Sequence, residues 1–88
     1  MFGYVVHPVA EKELRRLPHR DQARVIEDLK AVCELPHPLR SRHVIKLAGY
    51  REPTYRLRIG DWRVIFLIRG SMLYVTSVRP RQRGYRLD

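Results

Sequence analysis

Apolar residues recur along the chain with two different periods, and the change of period divides it. Residues 2–7, FGYVVH, form a short apolar run that predicts a first strand. Pro8 follows, and proline is tolerated at a helix start because its missing N–H would be unpaired there anyway. Ala10, Leu14 and Leu17 then recur at helical spacing and predict a short helix over 9–17. Pro18 breaks it, and Asp21 is the candidate N-cap of the next helix. There Val25, Ile26, Leu29, Val32 and Cys33 make one apolar stripe, while Arg24, Glu27, Asp28, Lys30 and Glu34 fill the other side. Pro36 and Pro38 end it. The two helices are expected to form an antiparallel hairpin with one apolar side.

From residue 54 onward the period drops to two. Strands are predicted at about 54–59, 62–69 and 72–79, joined by Gly60-Asp61 and Gly70-Ser71, two-residue loops of the Gly-X kind. Residues 39–53, LRSRHVIKLAGYREP, read as a loop carrying Arg40, Arg42, Lys46 and Arg51. The predicted fold class is therefore α+β in two layers: an N-terminal strand and an antiparallel helix hairpin packed on a small antiparallel β-sheet. A length of 88 residues suits one domain spanning 1–88.

The first hairpin loop sets a register. It pairs Ile59 with Trp62, Arg58 with Arg63, Leu57 with Val64, Arg56 with Ile65, and Tyr55 with Phe66. Side chains alternate faces along a strand, so Tyr55, Leu57, Ile59, Trp62, Val64, Phe66 and Ile68 share the face that packs on the helices. Arg56, Arg58 and Arg63 share the opposite face with Ile65 and Leu67, and the second hairpin adds Tyr74, Thr76 and Val78 to it. Like charges directly opposite one another destabilise a sheet, so the pairing of Arg58 with Arg63 breaks a local rule. A phosphate would supply the missing counter-ion; the alternative is that both arginines splay into water at little cost.

Charge strengthens the case for a polyanion. The net charge is +9, and it is lopsided. Residues 1–44 hold 8 Lys and Arg against 6 Asp and Glu, whereas residues 45–88 hold 10 against 3. All but one of the cations in the second half are arginine, which suits bidentate phosphate contact and stacking on bases. No apolar run approaches the length of a membrane span, and MFGYVVHPVAEKE lacks the pattern of a signal peptide. With one cysteine, Cys33, there is no disulfide framework, and a cytoplasmic location with no membrane contact is expected. Cys33 reads as a small buried hydrophobe. His7, His19, His37 and His43 have no metal-ligand spacing, so no metal is expected, and the absence of phosphate-loop and dinucleotide motifs leaves no cofactor expected either. Of the histidines, only His43 lies in the basic loop, as an outside candidate for phosphate contact. Glu11, Glu13, Glu27 and Asp28 read as solvated charges on helix surfaces.

Three segments carry a resemblance. YVVHPVAEKELRRLP, KLAGYREPTYRLRIGDWRVIFLI and SVRPRQRGY occur in the order and spacing of the RelE/ParE superfamily of toxins from toxin–antitoxin pairs, and the chain resembles its RelE-type members over almost its whole length. The resemblance implies a ribosome-dependent endoribonuclease that cuts mRNA in the decoding site, together with a cognate RelB-like antitoxin that wraps and silences it in a hetero-oligomer. It also implies catalytic roles for Arg58, Arg63, Arg81 and Tyr85, and it matches Lys46 and Arg56 to basic positions of the family, as candidate RNA contacts. Arg51 and Arg83 are further candidate RNA contacts, and Tyr74, on the arginine face, is a candidate to stack on a base. The closing segment departs from the family pattern, with Arg79-Pro80 where Gly-His is common. Arg58 stands where some members carry a lysine that can act as a base, which arginine does poorly.

RNA can be cut by attack of its own 2′-OH on the adjacent phosphate. Arg58 and Arg63 would neutralise the transition state, Arg81 would serve the leaving oxygen, and Tyr85 would stack on a base or orient the 2′-OH. Two other readings stand beside this one: a ParE-type toxin that binds DNA gyrase, and a non-catalytic RNA-binding module. Ile65, Leu67 and Val78 would offer an apolar groove to an amphipathic antitoxin segment whose acidic side chains meet the arginines.

Overall fold

Two His-Pro pairs open helical turns in the same way. His7 is the N-cap of α1 (Pro8–Arg15), and its ring nitrogen Nδ1 accepts a hydrogen bond from the Val9 amide at 3.1 Å. His37 repeats the arrangement before a 3₁₀ turn at Pro38–Arg40, accepting from the Leu39 amide at 3.1 Å while its ring meets Phe2 edge-on. Each imidazole satisfies one donor that a helix start leaves unpaired. Substituting His7 with alanine is expected to cost about 1 kcal/mol, seen by calorimetry as a Tm lowered by about 4–8 °C.

The computed structural model describes residues 1–81. The remaining elements are β1 (Gly3–Val6), α2 (His19–Cys33), β2 (Val44–Leu47), β3 (Thr54–Ile59), β4 (Trp62–Arg69) and β5 (Met72–Pro80). The sheet order is β1-β5-β4-β3-β2, antiparallel throughout except that β1 runs parallel to β5. Both helices pack on one face, α1 against β5 and α2 against β1 and β3. The layer between them contains Ala10, Val25, Leu29, Leu57, Ile59, Val64, Phe66, Leu73 and Val75, each 0–2% exposed. Tyr55, Trp62 and Ile68 pack against this core from the expected side. Burial, and then the charge of Glu34, push the Cys33 thiol above its ordinary value, which makes it the inert hydrophobe its position suggested.

Both hairpin loops fall where the glycines placed them. Gly60 and Gly70 have φ of 56° and 59°, while Asp61 and Ser71 do not enter the positive region. A positive φ at the first loop residue alone is the type II′ pattern, which matches the twist of the flanking strands.

Three expectations are corrected. Asp21 is not an N-cap: α2 starts two residues earlier, behind Pro18, and has no side-chain cap. Gln22 instead reaches back to the carbonyls of Arg15 and Leu17 at 3.2 and 2.7 Å, satisfying acceptors at the end of α1. The loop 39–53 contains a strand, β2, which pairs with β3 and makes the fifth member of the sheet. At four residues, with Lys46 interrupting VIKL, β2 is too short for a clear period of its own. Glu13 is no solvated charge. β1 covers β5 only over Met72–Val75, and beyond that point the Glu13 carboxylate replaces a strand partner. It accepts from the Val78 amide at 2.8 Å and the Ser77 hydroxyl at 3.1 Å.

Candidate nucleic-acid interface

Alternation and one bulge build the open face of the sheet. Arg58 lies opposite Arg63, as the hairpin register requires. Between β4 and β5 the register shifts: Phe66 pairs with Val75, but Ile65 pairs with Ser77, leaving Thr76 as an extra residue. The Thr76 hydroxyl donates to the Ile65 carbonyl at 3.3 Å. Without the bulge, Val78 would face Arg63. With it, Val78 turns into the core at 3% exposure, and Arg79 comes to lie opposite Arg63. The placement of Val78 on the open face is thereby corrected. A single cross-strand row now reads Arg58, Arg63, Arg79, with Arg56 one pleat further along β3.

The row borders a cleft of about 360 Å³, lined by Arg56, Arg63 and Arg79 with Leu47, Tyr50 and Ile65 among its walls. No carboxylate lines it. Among the described residues, the ion pairs are Arg15 with Glu11, Arg69 with Glu52, and Arg81 with Asp61, so none neutralises the row. The Nε atoms of Arg56 and Arg63 are buried without a hydrogen-bond partner. Burial first, then the Arg63 and Arg58 charges, push the Arg56 guanidinium below the ordinary arginine value. Arginine nonetheless remains a cation at neutral pH. Unpaired donors and crowded like charges define a site that an anion would stabilise.

The other candidate residues are spread around this centre. Arg81 sits beside the first hairpin loop, its amide donating to the Asp61 carbonyl at 2.6 Å and its guanidinium 3.9 Å from the Asp61 carboxylate. Arg81 and Arg79 line a second cleft on the Trp62 side. Tyr74 lies at the far end of the open face, where the Arg69 guanidinium stands 5.2 Å from its ring centroid. Arg69 makes two bonds to the Glu52 carboxylate, at 3.0 and 2.8 Å. The hydrogen bond from Arg69, aided by its charge, holds the Glu52 carboxyl below its ordinary value. A carboxyl depressed on folding contributes stability above its unfolded pKa and loses it as pH falls through the folded one. Glu52 and Arg69 are exposed, so acidification through that window is expected to loosen this pair with little effect on the global melt.

Lys46 lies opposite Tyr55, which puts it on the helix side of the sheet and away from the row. Arg51 is exposed in the bend before β3. Arg83 and Tyr85 lie outside the described residues. Tyr50, 56% exposed at the rim of the cleft, and Arg79 are the site residues that the sequence pattern did not pick out. For Arg79 the only available signal was its arginine character within a cationic second half. The His43 carbonyl accepts from the Arg58 amide at 3.0 Å, but His43 lines a separate cleft with Asp28, Val32 and Leu35 and not the cleft beside the row.

A family model described as the ParE toxin of type II toxin–antitoxin systems, parDE, matches residues 4–85. The chain belongs to this toxin family. An archaeal RelE–RelB complex from Pyrococcus horikoshii OT3 contains a similar chain, with a TM-score of 0.76 and 29% identity over 94% of this chain and 98% of that one. The isolated E. coli RelE toxin superposes with a TM-score of 0.74 and 22% identity, covering 96% of this chain and 88% of that one. The RelBE2 toxin–antitoxin complex from Mycobacterium tuberculosis gives 0.73 and 24%, covering 91% and 98%. No curated protein matches. The α+β architecture is thus that of RelE toxins, and the protein is a toxin of the RelE/ParE superfamily.

Proposed function

We propose that this toxin is a ribosome-dependent endoribonuclease, residues 1–88 acting as one domain, and that the arginine row is its phosphate site. The observation that carries this reading is the register Arg58–Arg63–Arg79, three unneutralised cations across adjacent strands beside a cleft. A scissile phosphate seated over Arg63 would meet Arg58 and Arg79 on its flanks and Arg56 below. As the 2′-OH attacks, negative charge grows on the non-bridging oxygens, and fixed guanidinium groups stabilise that charge more than they stabilise the ground state. The products are a cyclic phosphate and a free 5′-OH. Arg81, beside the hairpin loop, is assigned to the leaving oxygen and Tyr85 to base stacking or 2′-OH orientation.

A RelB-like antitoxin is the inhibitory partner in this proposal. RelE–RelB complexes recur among the similar structures. An acidic, amphipathic segment lying over half-buried Ile65 and Leu67 would cover the row and compete with RNA.

A second reading has its own support, since the matching family model is that of ParE toxins. It makes the protein an inhibitor of DNA gyrase. Induced expression with mapping of transcript 5′ ends separates the two: new cuts inside translated regions support the nuclease, whereas arrest without cuts, together with gyrase inhibited in a supercoiling assay, supports the ParE activity.

RNA affinity is also expected to fall with salt. For single strands the logarithmic slope is about −0.7 per phosphate neutralised, so Arg58→Ala and Arg79→Ala should each make it shallower by about 0.7. A slope unchanged in both variants would remove the row from the RNA interface.

A further inference from the structure

A hydrogen-bonded chain links the helix layer to the arginine row. The Ser77 hydroxyl donates to Glu13 Oε1 at 3.1 Å and accepts from Arg79 Nε at 2.7 Å. Chemistry fixes these directions. A guanidinium has no acceptor and an ionised carboxylate has no donor, so the one serine proton must point to Glu13 and its lone pairs to Arg79. Ser77 is 7% exposed, so water does not readily replace either partner. The same carboxylate oxygen also takes the Val78 amide at 2.8 Å, which anchors the chain to the strand immediately beyond the bulge.

Arg79 needs such a tether. It is exposed, and an arginine side chain carries about 2 kcal/mol of rotamer entropy to be lost when it engages a ligand. The bond to Ser77 uses Nε alone and leaves the terminal amino groups for an anion. The Glu13 charge, one hydroxyl away, offsets the repulsion between Arg79 and Arg63 without entering the cleft and competing for the row.

We propose that Glu13 and Ser77 are positioning residues that hold Arg79 beside Arg63, so that the row meets an RNA phosphate already formed; this rests on the phosphate-binding role of the row proposed above. Glu13 then has two separable functions. Its bond to the Val78 amide closes the strand edge, and its bond to Ser77 orients the arginine.

Ser77→Ala separates them, because it keeps the Glu13–Val78 bond and removes only the link to Arg79. The experiment measures binding of a short fluorescein-labelled oligouridine by anisotropy at low salt. Wild type is compared with Ser77→Ala, Arg79→Ala and the double variant, with thermal melts alongside. Ser77→Ala is expected to weaken binding on the order of fivefold, the net worth of one typical intramolecular hydrogen bond. In the Arg79→Ala background it is expected to do nothing further, since the residue it acts through is gone. Equal weakening in both backgrounds, or none in the first, overturns the positioning role. Loss of affinity in Arg79→Ala with no change in Ser77→Ala leaves the row intact as a phosphate site and sinks only the tether. No loss in Arg79→Ala removes Arg79 from the phosphate site and the tether with it. Should Ser77→Ala fail to fold, Glu13→Gln serves instead: it keeps an oxygen acceptor for both partners and discards the charge. It is expected to weaken binding about twofold to threefold in wild type and not at all beside Arg79→Ala. Additive losses there overturn the proposal equally.

Discussion

Arg63→Ala is expected to lower RNA cleavage by about a hundredfold to a thousandfold while leaving the fold intact. Arg63 holds the middle of the row, with Arg58 on one side and Arg79 on the other. Its Nε is buried and unpartnered, and no carboxylate lines the cleft it faces. Removing one preorganised donor from the position where charge develops typically costs about 3 kcal/mol of transition-state stabilisation, which is the stated loss in rate. Stability should move the other way or not at all. Deleting the central cation relieves the two cross-strand like-charge pairs, with Arg58 and Arg79, each worth a few tenths of a kcal/mol to about 1 kcal/mol, and the repulsion of Arg56 as well. The measurement is a cleavage rate on mRNA in programmed ribosomes, with a thermal melt of each variant. Arg69→Ala serves as the control, since Arg69 is already bound to Glu52 and should change the rate little. A wild-type rate in Arg63→Ala would mean that the row is not the phosphate site. A lowered Tm with a proportionate loss of activity would make Arg63 a structural residue.

Phe66→Ala should remove toxicity by a different route, through unfolding. Phe66 is 0% exposed and is the largest fully buried side chain among the described residues. Its ring stacks on Tyr55 with centroids 5.7 Å apart and planes 24° from parallel, and it pairs with Val75 beside the bulge. Truncating a buried phenylalanine costs about 3–5 kcal/mol in transfer free energy and cavity formation. Domains in general have about 5–15 kcal/mol in total, and small ones lie toward the lower end. The variant is therefore expected to be substantially unfolded at growth temperature, shown by loss of near-ultraviolet circular dichroism and by proteolysis. An antitoxin that binds only the folded form would restore about 2.7 kcal/mol at a concentration a hundred times its Kd. Co-expression should accordingly rescue folding of this variant, though it would not rescue the chemistry of Arg63→Ala. A melt matching the wild type would show that the core closes around the missing ring.

The two hairpins were legible in the sequence because two strong local signals agree there. Gly-X loops fixed the turns, and alternation on either side fixed the faces, so Arg58 opposite Arg63 followed directly. The N-terminal strand and both helices were legible from period and prolines. What escaped depends on tertiary contact. β2 has four residues and exists because β3 offers it an edge. The bulge at Thr76 has no sequence marker of the glycine kind, yet it exchanges Val78 for Arg79 on the open face and so completes the row. Glu13 looked like any carboxylate on a helix. Only the short reach of β1 along β5 reveals why that carboxylate is needed.

The parallel pairing of β1 with β5 also governs when the protein can come into being. Gly3 lies opposite Met72, so β1 must wait for β5. Closing so long a loop is costly before any contact rewards it, and folding dominated by such pairings is slow. Arg79 belongs to the same late strand. A nascent chain therefore has neither a sealed sheet nor a complete row of cations until β5 has been made. The strand that seals the sheet is thus also the strand that completes the row.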